Sequence, residues 1–363
     1  MLHTAALLAA LGSLSACADA VVNQDPATPA EVEASGDLKT GWIWRHGADR
    51  PIEVSYEVRN GLAMWQGDII LGKAGEVPAT RQALEGRVRQ GGPRLGLGIA
   101  PGSGRWPLGT VAYVIDPALP NAARVTDAIG HIESKWTYLD FTSRGTETDY
   151  VYITAAGAGA NDCASYVGRT GGQQVLLLGS NCTKGNTIHE LLHAVGMEHE
   201  QNRCDRDLRL TIKWANMRDA AEPYFQKLCD GFDEYGTYDY SSIMHGHRLI
   251  ESINNLNTLE PKPYSSSNLN KMGQRDSMST RDVQTIQSMY PRPLGPTGVT
   301  VTLSGSTPVI TWNAVAGASY YSVELLQRYE ENDYERGYSS YDSYSLIGTT
   351  GGTSMADTGN PYT

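Results

Sequence analysis

The sequence predicts an α+β fold, because a few short strands and helices are separated by many irregular stretches. Apolar residues form short runs that are typical of buried strands, and in other segments they recur at the spacing of one helix face. A last segment, which follows a proline-rich stretch, contains predicted strands and no predicted helix. We therefore expect a mixed domain followed by a separate β domain.

The composition limits what kind of protein this is. The chain has 363 residues, of which 40% are hydrophobic, so it exceeds one ordinary domain and can bury a core. Its formal net charge of −11 disfavours a nucleic-acid partner, since an acidic protein repels phosphate backbones. No apolar run reaches the length of about 18 residues that a membrane-spanning helix needs.

The first 17 residues have the character of an export signal. Ala5 to Leu14 is an apolar stretch of signal-peptide length, and small residues then precede Cys17. This pattern resembles a bacterial lipoprotein box, so we expect Cys17 to be lipidated and to be the only membrane attachment. Met1 to Thr4 lack Lys and Arg, which keeps a plain signal peptide with an incidental Cys as the alternative. Either interpretation predicts an exported protein.

Four cysteines remain after Cys17, and an even number in an exported chain suggests two disulfides with three possible pairings. We expect nearest neighbours to pair, Cys163 with Cys182 and Cys204 with Cys229. A four-cysteine zinc site is disfavoured, because no two of them have Cys-x-x-Cys spacing.

Residues 18–104 have mixed character and contain two expected linkers. Asp25 to Lys39 is rich in Pro, Ala and Glu, and Gly91 to Gly104 is rich in Gly and Pro. Arginines near the second linker predict an exposed segment that a protease can cut, or simply a solvated charge run. They are Arg81, Arg87, Arg89 and Arg94.

From Trp106 onward the pattern is that of a compact domain. Strands are predicted at the short apolar runs Val111 to Ile115, Tyr150 to Ile153 and Val175 to Leu178. Asn121 is expected to cap a helix with apolar residues at helical spacing. These residues are Val125, Ile129, Ile132 and Trp136.

Two more helices and a strand-rich tail complete the pattern. One helix is expected from about Asn186, and the last from Ser279, where Ser279 and Asp282 fit a capping box. Beyond the stiff, proline-rich residues 292–297, strands are predicted in three segments. They are Val299 to Leu303, Val309 to Trp312 and Tyr320 to Leu325.

One segment, residues 187–200, carries the predicted chemistry. On a helix, His189 and His193 lie one turn apart and present their imidazoles on one face. Glu190 is placed to take a proton from a metal-bound water. Gly196 allows the helix to end in a left-handed turn, so that His199 can supply a third nitrogen.

Three protein ligands and a water leave the open position that catalytic zinc requires, so we expect one catalytic Zn²⁺. A single His on a helix is usually structural, and His-Glu-x-x-His by itself occurs by chance. The longer pattern from His189 to Glu200 is far more specific for a zinc site, and three of the chain's 8 His residues fall in it.

The pattern from His189 to Glu200 resembles the metzincin metalloproteases, and its final Glu is similar to the astacin family. Cys163 to Arg169 resembles the astacin segment ahead of the zinc helix, and a Cys163–Cys182 bond matches one family disulfide. Tyr238 to His245 resembles the turn whose Met, here Met244, lies beneath the zinc. Matches to the family's closing helix are Gly273-Gln274-Arg275, Ser279, Asp282 and Tyr290.

This resemblance implies a zincin-like fold with two subdomains, a mixed twisted sheet and a long active-site helix. It also implies a secreted, bacterial zinc endopeptidase that hydrolyses protein or peptide substrates, with Glu190 as general base and acid. Trp312 and Tyr320-Tyr321 resemble a fibronectin type III domain, so an incomplete β-sandwich is expected after the protease. The expected order is signal peptide (1–17), propeptide and linker (18–104), protease domain (105–291), linker (292–297) and partial fibronectin type III-like domain (298–363).

The sequence departs from the astacin pattern at two places. Most astacins have a Tyr two residues after the turn Met, where it stabilises the developing oxyanion, but here the residue is Gly246. Losing one such donor typically costs ~10²–10³ in rate. His247 or a Tyr from elsewhere is the candidate substitute, and an exposed loop His is the alternative. The family's second disulfide has no counterpart, which leaves Cys204 and Cys229 to pair with each other.

Trp65 to Ile69 resembles the astacin propeptide motif, in which the Asp, here Asp68, replaces the catalytic water on zinc and keeps the precursor latent. A carboxylate is a good fourth zinc ligand, and Gly67 permits close backbone approach. The alternative is an ordinary hairpin turn between Leu62–Trp65 and Ile69–Leu71. An activating protease would then cut between Arg81 and Arg105. In the family, the residue at Glu200 interacts with the mature N-terminus.

A second functional class stays open. A surface adhesin or binding module with a structural or impaired zinc site would also fit Gly246 and the fibronectin-like tail. Cleavage of casein or gelatin with and without a chelator distinguishes the two.

Overall fold

The computed structural model describes residues 38–44, 50–89, 104–157, 162–229, 234–291, 298–305, 307–314, 321–333, 337–350, 352 and 354–356. The predicted signal peptide with Cys17, most of both N-terminal linkers and the linker 292–297 lie outside these residues. Within the described residues, no helix has the length and apolarity needed to cross a bilayer. The chain divides into two compact units, residues 1–291 and 292–363.

Residues 38–89 form an antiparallel meander followed by a helix. Asn60 and Gly61 make the tightest turn of this meander, with φ of 49° and 79°, as a two-residue hairpin loop requires. We did not predict the helix, since its arginines suggested only an exposed segment. The elements are β1 Lys39–Ile43, β2 Ile52–Arg59, β3 Leu62–Trp65, β4 Ile69–Lys73 and α1 Arg81–Arg89.

The meander continues into the sheet of the following residues, which gives one nine-stranded mixed sheet. The added strands are β5 Thr110–Ile115, β6 Asp140–Ser143, β7 Tyr150–Ala155, β8 Cys163–Ser165 and β9 Gln173–Leu178. The order in the sheet is β1-β2-β3-β4-β8-β9-β7-β5-β6. Beyond the antiparallel meander, β4 pairs with β8 in parallel, β8 pairs with β9 antiparallel, and the pairs β9–β7, β7–β5 and β5–β6 are parallel. The predicted mixed sheet and its strands are confirmed.

After α1, the α-helices in the described residues of the first unit are α2 Ala123–Lys135, α3 Lys184–Ala194, α4 Ser266–Leu269 and α5 Thr280–Met289. The capping box at Ser279 and Asp282 forms as predicted. The predicted cap at Asn121 is wrong: Ala122 holds the N-cap position, and Asn121 adopts a left-handed turn with φ of 53°. Apolar residues of α2, α3, α5 and the sheet share one core.

A second core lies in the irregular part between α3 and α5. It includes Leu210, Phe225, Tyr238 and Leu259, and its short strands β10 Leu210–Ile212 and β11 Leu259–Pro261 pair antiparallel. Disulfides join Cys163 to Cys182 and Cys204 to Cys229, which is the predicted pairing.

In the described residues of the second unit, all regular secondary structure is β-strand. β12, β13 and β16 form one antiparallel sheet, and β14 and β15 form a long hairpin. The three predicted strands are present, while the fibronectin type III-like sandwich stays a prediction. The bounds are β12 Thr300–Ser304, β13 Thr307–Thr311, β14 Tyr321–Asp333, β15 Gly337–Thr350 and β16 Ser354–Ala356.

Candidate active site

Helix α3 carries the first two predicted ligands. Thr183 and Asn186 form a capping box at its start, which satisfies amides that the first turn leaves without partners. The helix therefore begins two residues earlier than we predicted. His189 and His193 lie one turn apart and are buried. Four apolar side chains of the same segment belong to the main core and fix its orientation: Ile188, Leu191, Leu192 and Val195.

The end of α3 turns the chain back toward the site. Gly196 has φ of 109°, a left-handed conformation that favours glycine. Two side chains bind the last carbonyls of the helix: the Trp106 indole donates to Ala194 O at 2.8 Å, and the Tyr290 hydroxyl donates to Val195 O at 2.7 Å. These contacts hold the turn that presents His199.

The three imidazoles converge on one point. His193 Nε2 lies 3.1 Å from His189 Nε2 and 3.2 Å from His199 Nε2, and the third pair is 3.3 Å apart. A tetrahedral zinc ion with Zn–N bonds of about 2.0–2.1 Å holds its nitrogen ligands roughly 3.3 Å apart. The spacing of these nitrogens therefore fits zinc.

The hydrogen bonds of the outer ring nitrogens explain why the inner ones face each other. His189 Nδ1 bonds to Ile243 O at 2.8 Å, and His193 Nδ1 bonds to Met197 O at 2.7 Å. A carbonyl only accepts, so each Nδ1 carries the proton and each Nε2 presents a lone pair. Burial lowers the pKa of His189 to about 4 and that of His193 well below its usual value. Neutral rings with converging lone pairs are arranged to bind a cation.

Asp68 offers a fourth ligand atom beside the three histidines. Together, Asp68, His189, His193 and His199 could hold a metal ion. Its Oδ2 lies 3.2 Å from the Nε2 atoms of both His189 and His199. Burial would raise the pKa of Asp68, but the neighbouring imidazoles hold it well below its usual range. Asp68 lies in the loop between β3 and β4. The hairpin turn that we gave as the alternative is therefore present, and the same turn places the Asp68 carboxylate beside the histidines.

The loop that presents Asp68 is fixed by backbone contacts. Gln66 and Gly67 have φ of 55° and 98°, which turns the chain toward the histidines. The Ser165 amide of β8 donates to Asp68 O at 3.0 Å, and Ile69 pairs with Ser165 in parallel. The backbone at Asp68 is thus fixed in the interior of the sheet, where β4 pairs with β8.

Glu190 is buried beside the first ligand, with 1% of its surface exposed. Its Oε2 has no hydrogen-bond partner among the described residues. Burial and the charge of Asp68 raise the pKa of Glu190 well above its usual value, although Arg275 opposes this. A buried carboxyl with an open oxygen can accept and return a proton.

The turn that contains Met244 contacts two parts of the site. Ile243 O accepts from His189, and Met244 O accepts from the Glu200 amide at 3.1 Å. Asp282 of α5 holds this turn through the Ile243 amide at 2.9 Å. Met244 itself is buried in the main core.

Glu200 follows the third ligand and is largely buried. Its Oε1 accepts from the Asp239 amide at 2.7 Å, and Arg203 Nε lies 3.7 Å away. Burial raises the pKa of Glu200 to about 8. Its interaction with a mature N-terminus stays a prediction.

Gly246 lies where most astacins place a Tyr. Its amide donates to Gln201 Oε1 at 2.8 Å, and a Cβ at this position would come within 3.1 Å of Gln201 Nε2. His247 Nδ1 accepts from the Leu249 amide at 3.2 Å. In the part of the chain that the structure describes, the group that could hold a metal ion does not include His247, and the role of His247 as a substitute stays a prediction.

Two residues that the sequence analysis named only as members of motifs, with no role in the site, contact it in the structure. His199 Nδ1 contacts Gln66 Oε1 at 3.0 Å, so a residue beside Asp68 orients the third ligand. Arg275 Nη1 donates to Ile243 O at 2.8 Å and to His245 O at 3.1 Å, so it holds the turn behind His189. A glycine in the first turn of α3 is the signal that could have indicated a close neighbour there, because a Cβ at Gly185 would lie 1.6 Å from Arg275 O.

Comparison with known families gives a match over the same region. The family described as "Astacin", a peptidase family, matches residues 99–291. Zinc metalloproteinase nas-4 of Caenorhabditis elegans is 35% identical over 195 residues, which cover 51% of this chain and 59% of the relative. Tolloid-like protein 1 of Mus musculus is 36% identical over 192 residues, which cover 51% of this chain and 19% of the relative.

A solved structure is also similar. The high choriolytic enzyme 1 of Oryzias latipes, a hatching enzyme zinc-protease, is 33% identical with a TM-score of 0.46, covering 52% of this chain and 93% of that one. The chain spans less than two thirds of the length of the curated relatives described above, 59% and 19%.

Proposed function

The chain belongs to the astacin family of peptidases, and from this premise we propose that it is a zinc-dependent endopeptidase that hydrolyses proteins or peptides. The observation that supports this most is the convergence of three histidine Nε2 atoms within 3.3 Å of one another. Enzymes of this family use one catalytic zinc, and His189, His193 and His199 would hold it here.

Zinc, when bound, would supply Lewis acidity toward the scissile carbonyl and would acidify a nearby water molecule. We assign the proton transfers to Glu190, which takes a proton from the attacking water and later gives it to the leaving amine. Glu190 suits this role by position, because it is buried next to His189 and its Oε2 has no hydrogen-bond partner among the described residues.

We propose that residues 18–104 are a propeptide and linker and that the described part, residues 38–89, is inhibitory. Asp68 lies 3.2 Å from two of the histidine nitrogens, so its carboxylate would take the place of the catalytic water on a bound zinc. An activating protease would have to cut between Arg81 and Arg105 before substrate reaches the zinc.

We also propose that the protein is exported from a bacterial cell. Residues 1–17 would direct export, and Cys17 would carry a lipid anchor to the cell envelope, unless the signal is of the plain type. Residues 298–363 would form a fibronectin type III-like domain, for which the three-stranded sheet of β12, β13 and β16 is the support.

Gly246 favours a second candidate, a binding module whose zinc site is impaired. No side chain at this position can provide an oxyanion donor, and loss of such a donor slows acyl transfer.

The test is cleavage of casein by processed protein, with zinc content measured in parallel. We expect cleavage that a chelator stops and zinc restores. Glu190→Gln should lower the rate ~10²–10⁴-fold and leave the bound zinc unchanged, because Glu190 is not a ligand. Glu133→Gln is the control, because Glu133 of α2 accepts from the Phe141 amide at 2.8 Å and a glutamine oxygen can accept the same bond. Bound zinc with no cleavage would support the binding module instead.

A further inference from the structure

A chain of five charged side chains joins residues 38–89 to the protease region. Arg59 Nη2 contacts Glu57 Oε2 at 2.7 Å, and Arg218 Nη2 contacts Glu57 Oε1 at 2.8 Å. Arg59 also reaches Asp162 at 3.4 Å, and Arg218 pairs with Glu251. The order Asp162–Arg59–Glu57–Arg218–Glu251 alternates in sign and is called the ion chain below. Asp162, Arg218 and Glu251 belong to residues 105–291, called the protease region here, whereas Glu57 and Arg59 belong to β2.

Glu57 is the centre of the ion chain, and its side chain is 0% exposed. Burial would raise its pKa, but the hydrogen bonds from Arg218 and Arg59, together with the positive charge of Arg59, outweigh this and hold the pKa below its usual value. A buried carboxylate without partners is strongly unfavourable. Glu57 therefore depends on Arg218, which belongs to the protease region.

The ion chain is also linked to the loop that presents Asp68. Arg59 Nη1 donates to Gly67 O at 2.9 Å, and Gly67 directly precedes Asp68. Displacing Arg59 would release a contact that holds this loop against the histidines.

Apolar contacts accompany the ion chain on both faces of the meander. Trp65 and Ile69 share a core with Val167 and Leu228 of the protease region. On the other face, Met64 and Ile70 pack with Ala164. Apolar burial and paired charges of this kind also stabilise separate proteins at an interface.

We propose that Asp162, Arg218 and Glu251 form a docking surface for residues 38–89 which keeps this segment bound, and the protease blocked, after the chain between them has been cut. The cut segment is then a noncovalent inhibitor, and activity requires its separation or further proteolysis. This inference rests on the proposed protease function.

The experiment uses the full chain with one recognition site for a site-specific protease inserted between residues 90 and 103. After cutting, size-exclusion chromatography measures whether the two pieces elute together, and a fluorogenic peptide measures activity. We expect co-elution, and activity roughly tenfold or more below that of the separated protease.

Glu57→Gln is the informative variant, because the protease left after separation is identical to the unaltered one. We expect its cut pieces to separate and its activity to rise roughly tenfold or more above that of the cut unaltered chain. Glu85→Gln is the matched control: Glu85 pairs with Arg81 within α1, at 2.7 Å, and this variant should behave like the unaltered chain.

If the Glu57→Gln chain does not fold, Arg218→Gln takes its place. Its control is Lys213→Gln, which removes a cation paired with Glu260 at 2.9 Å. Immediate separation of the cut unaltered chain, or equal behaviour of the Glu57 and Glu85 variants, would overturn the docking surface. Chromatography does not depend on catalysis. Pieces that co-elute, in a protein that stays inactive even after the segment has been separated from it, would therefore count against the protease function alone.

Discussion

The three ligand imidazoles are oriented by different kinds of partner. Backbone carbonyls of Ile243 and Met197 hold His189 and His193, whereas the side chain of Gln66 holds His199. The ligands themselves could be predicted, because one helix and one turn contain all three. Their partners could not, since a carbonyl has no sequence signature and Gln66 lies far away along the chain.

At this same scale we predict the effect of Asp68→Ala on the uncut chain. Removing the carboxylate opens the fourth position at the histidines, so activity on a fluorogenic peptide should rise by roughly tenfold or more. It should stay below that of the processed protease, because β4 still pairs with β8.

The control for this variant is Glu53→Ala, which removes one exposed acidic group from β2 and should leave the uncut chain silent. A silent Asp68→Ala chain that binds zinc and becomes active after processing would show that Asp68 does not provide the latency.

Secondary structure followed the sequence where local signals are strong. Short apolar runs predicted β5, β7 and β9, and the capping box predicted α5. Asn121 misled us because Asn is favoured both at helix caps and in left-handed turns, and here the turn prevails. The hairpin between β3 and β4 could be proposed from the sequence. The pairing of β4 with β8 could not, because it joins residues that are distant along the chain and leaves no local sequence pattern.

Two helix glycines give a prediction for α3. A Cβ at Gly185 would lie 1.6 Å from Arg275 O, whereas a Cβ at Gly130 of α2 meets nothing within 4 Å. Gly185→Ala should therefore push α3 away from the Arg275 backbone, lower Tm by roughly 5–10 °C and weaken zinc binding. Gly130→Ala should stabilise the protein by ~0.5–1 kcal/mol.

Thermal unfolding followed by circular dichroism, together with chelator competition for zinc, measures both variants. Similar Tm values for Gly185→Ala and Gly130→Ala would mean that the close approach of α3 to Arg275 is not required.

At the scale of the whole molecule, all candidate site residues lie in the first compact unit, residues 1–291. A chain that ends at Pro291 should therefore bind one zinc and, once processed, cleave casein within about twofold of the full chain. Loss of zinc or of cleavage on this truncation would show that the second unit supports the site.

The Cys163–Cys182 disulfide joins the first residue of β8 to the residue before the N-cap of α3. One covalent bond thus ties the strand beside Asp68 to the start of the helix that carries two ligands. A glutathione-rich cytoplasm would keep these two sulfurs reduced. The helix that carries His189 and His193 therefore gains this covalent tie only in an oxidising compartment, and the export proposed above would then also be a maturation step.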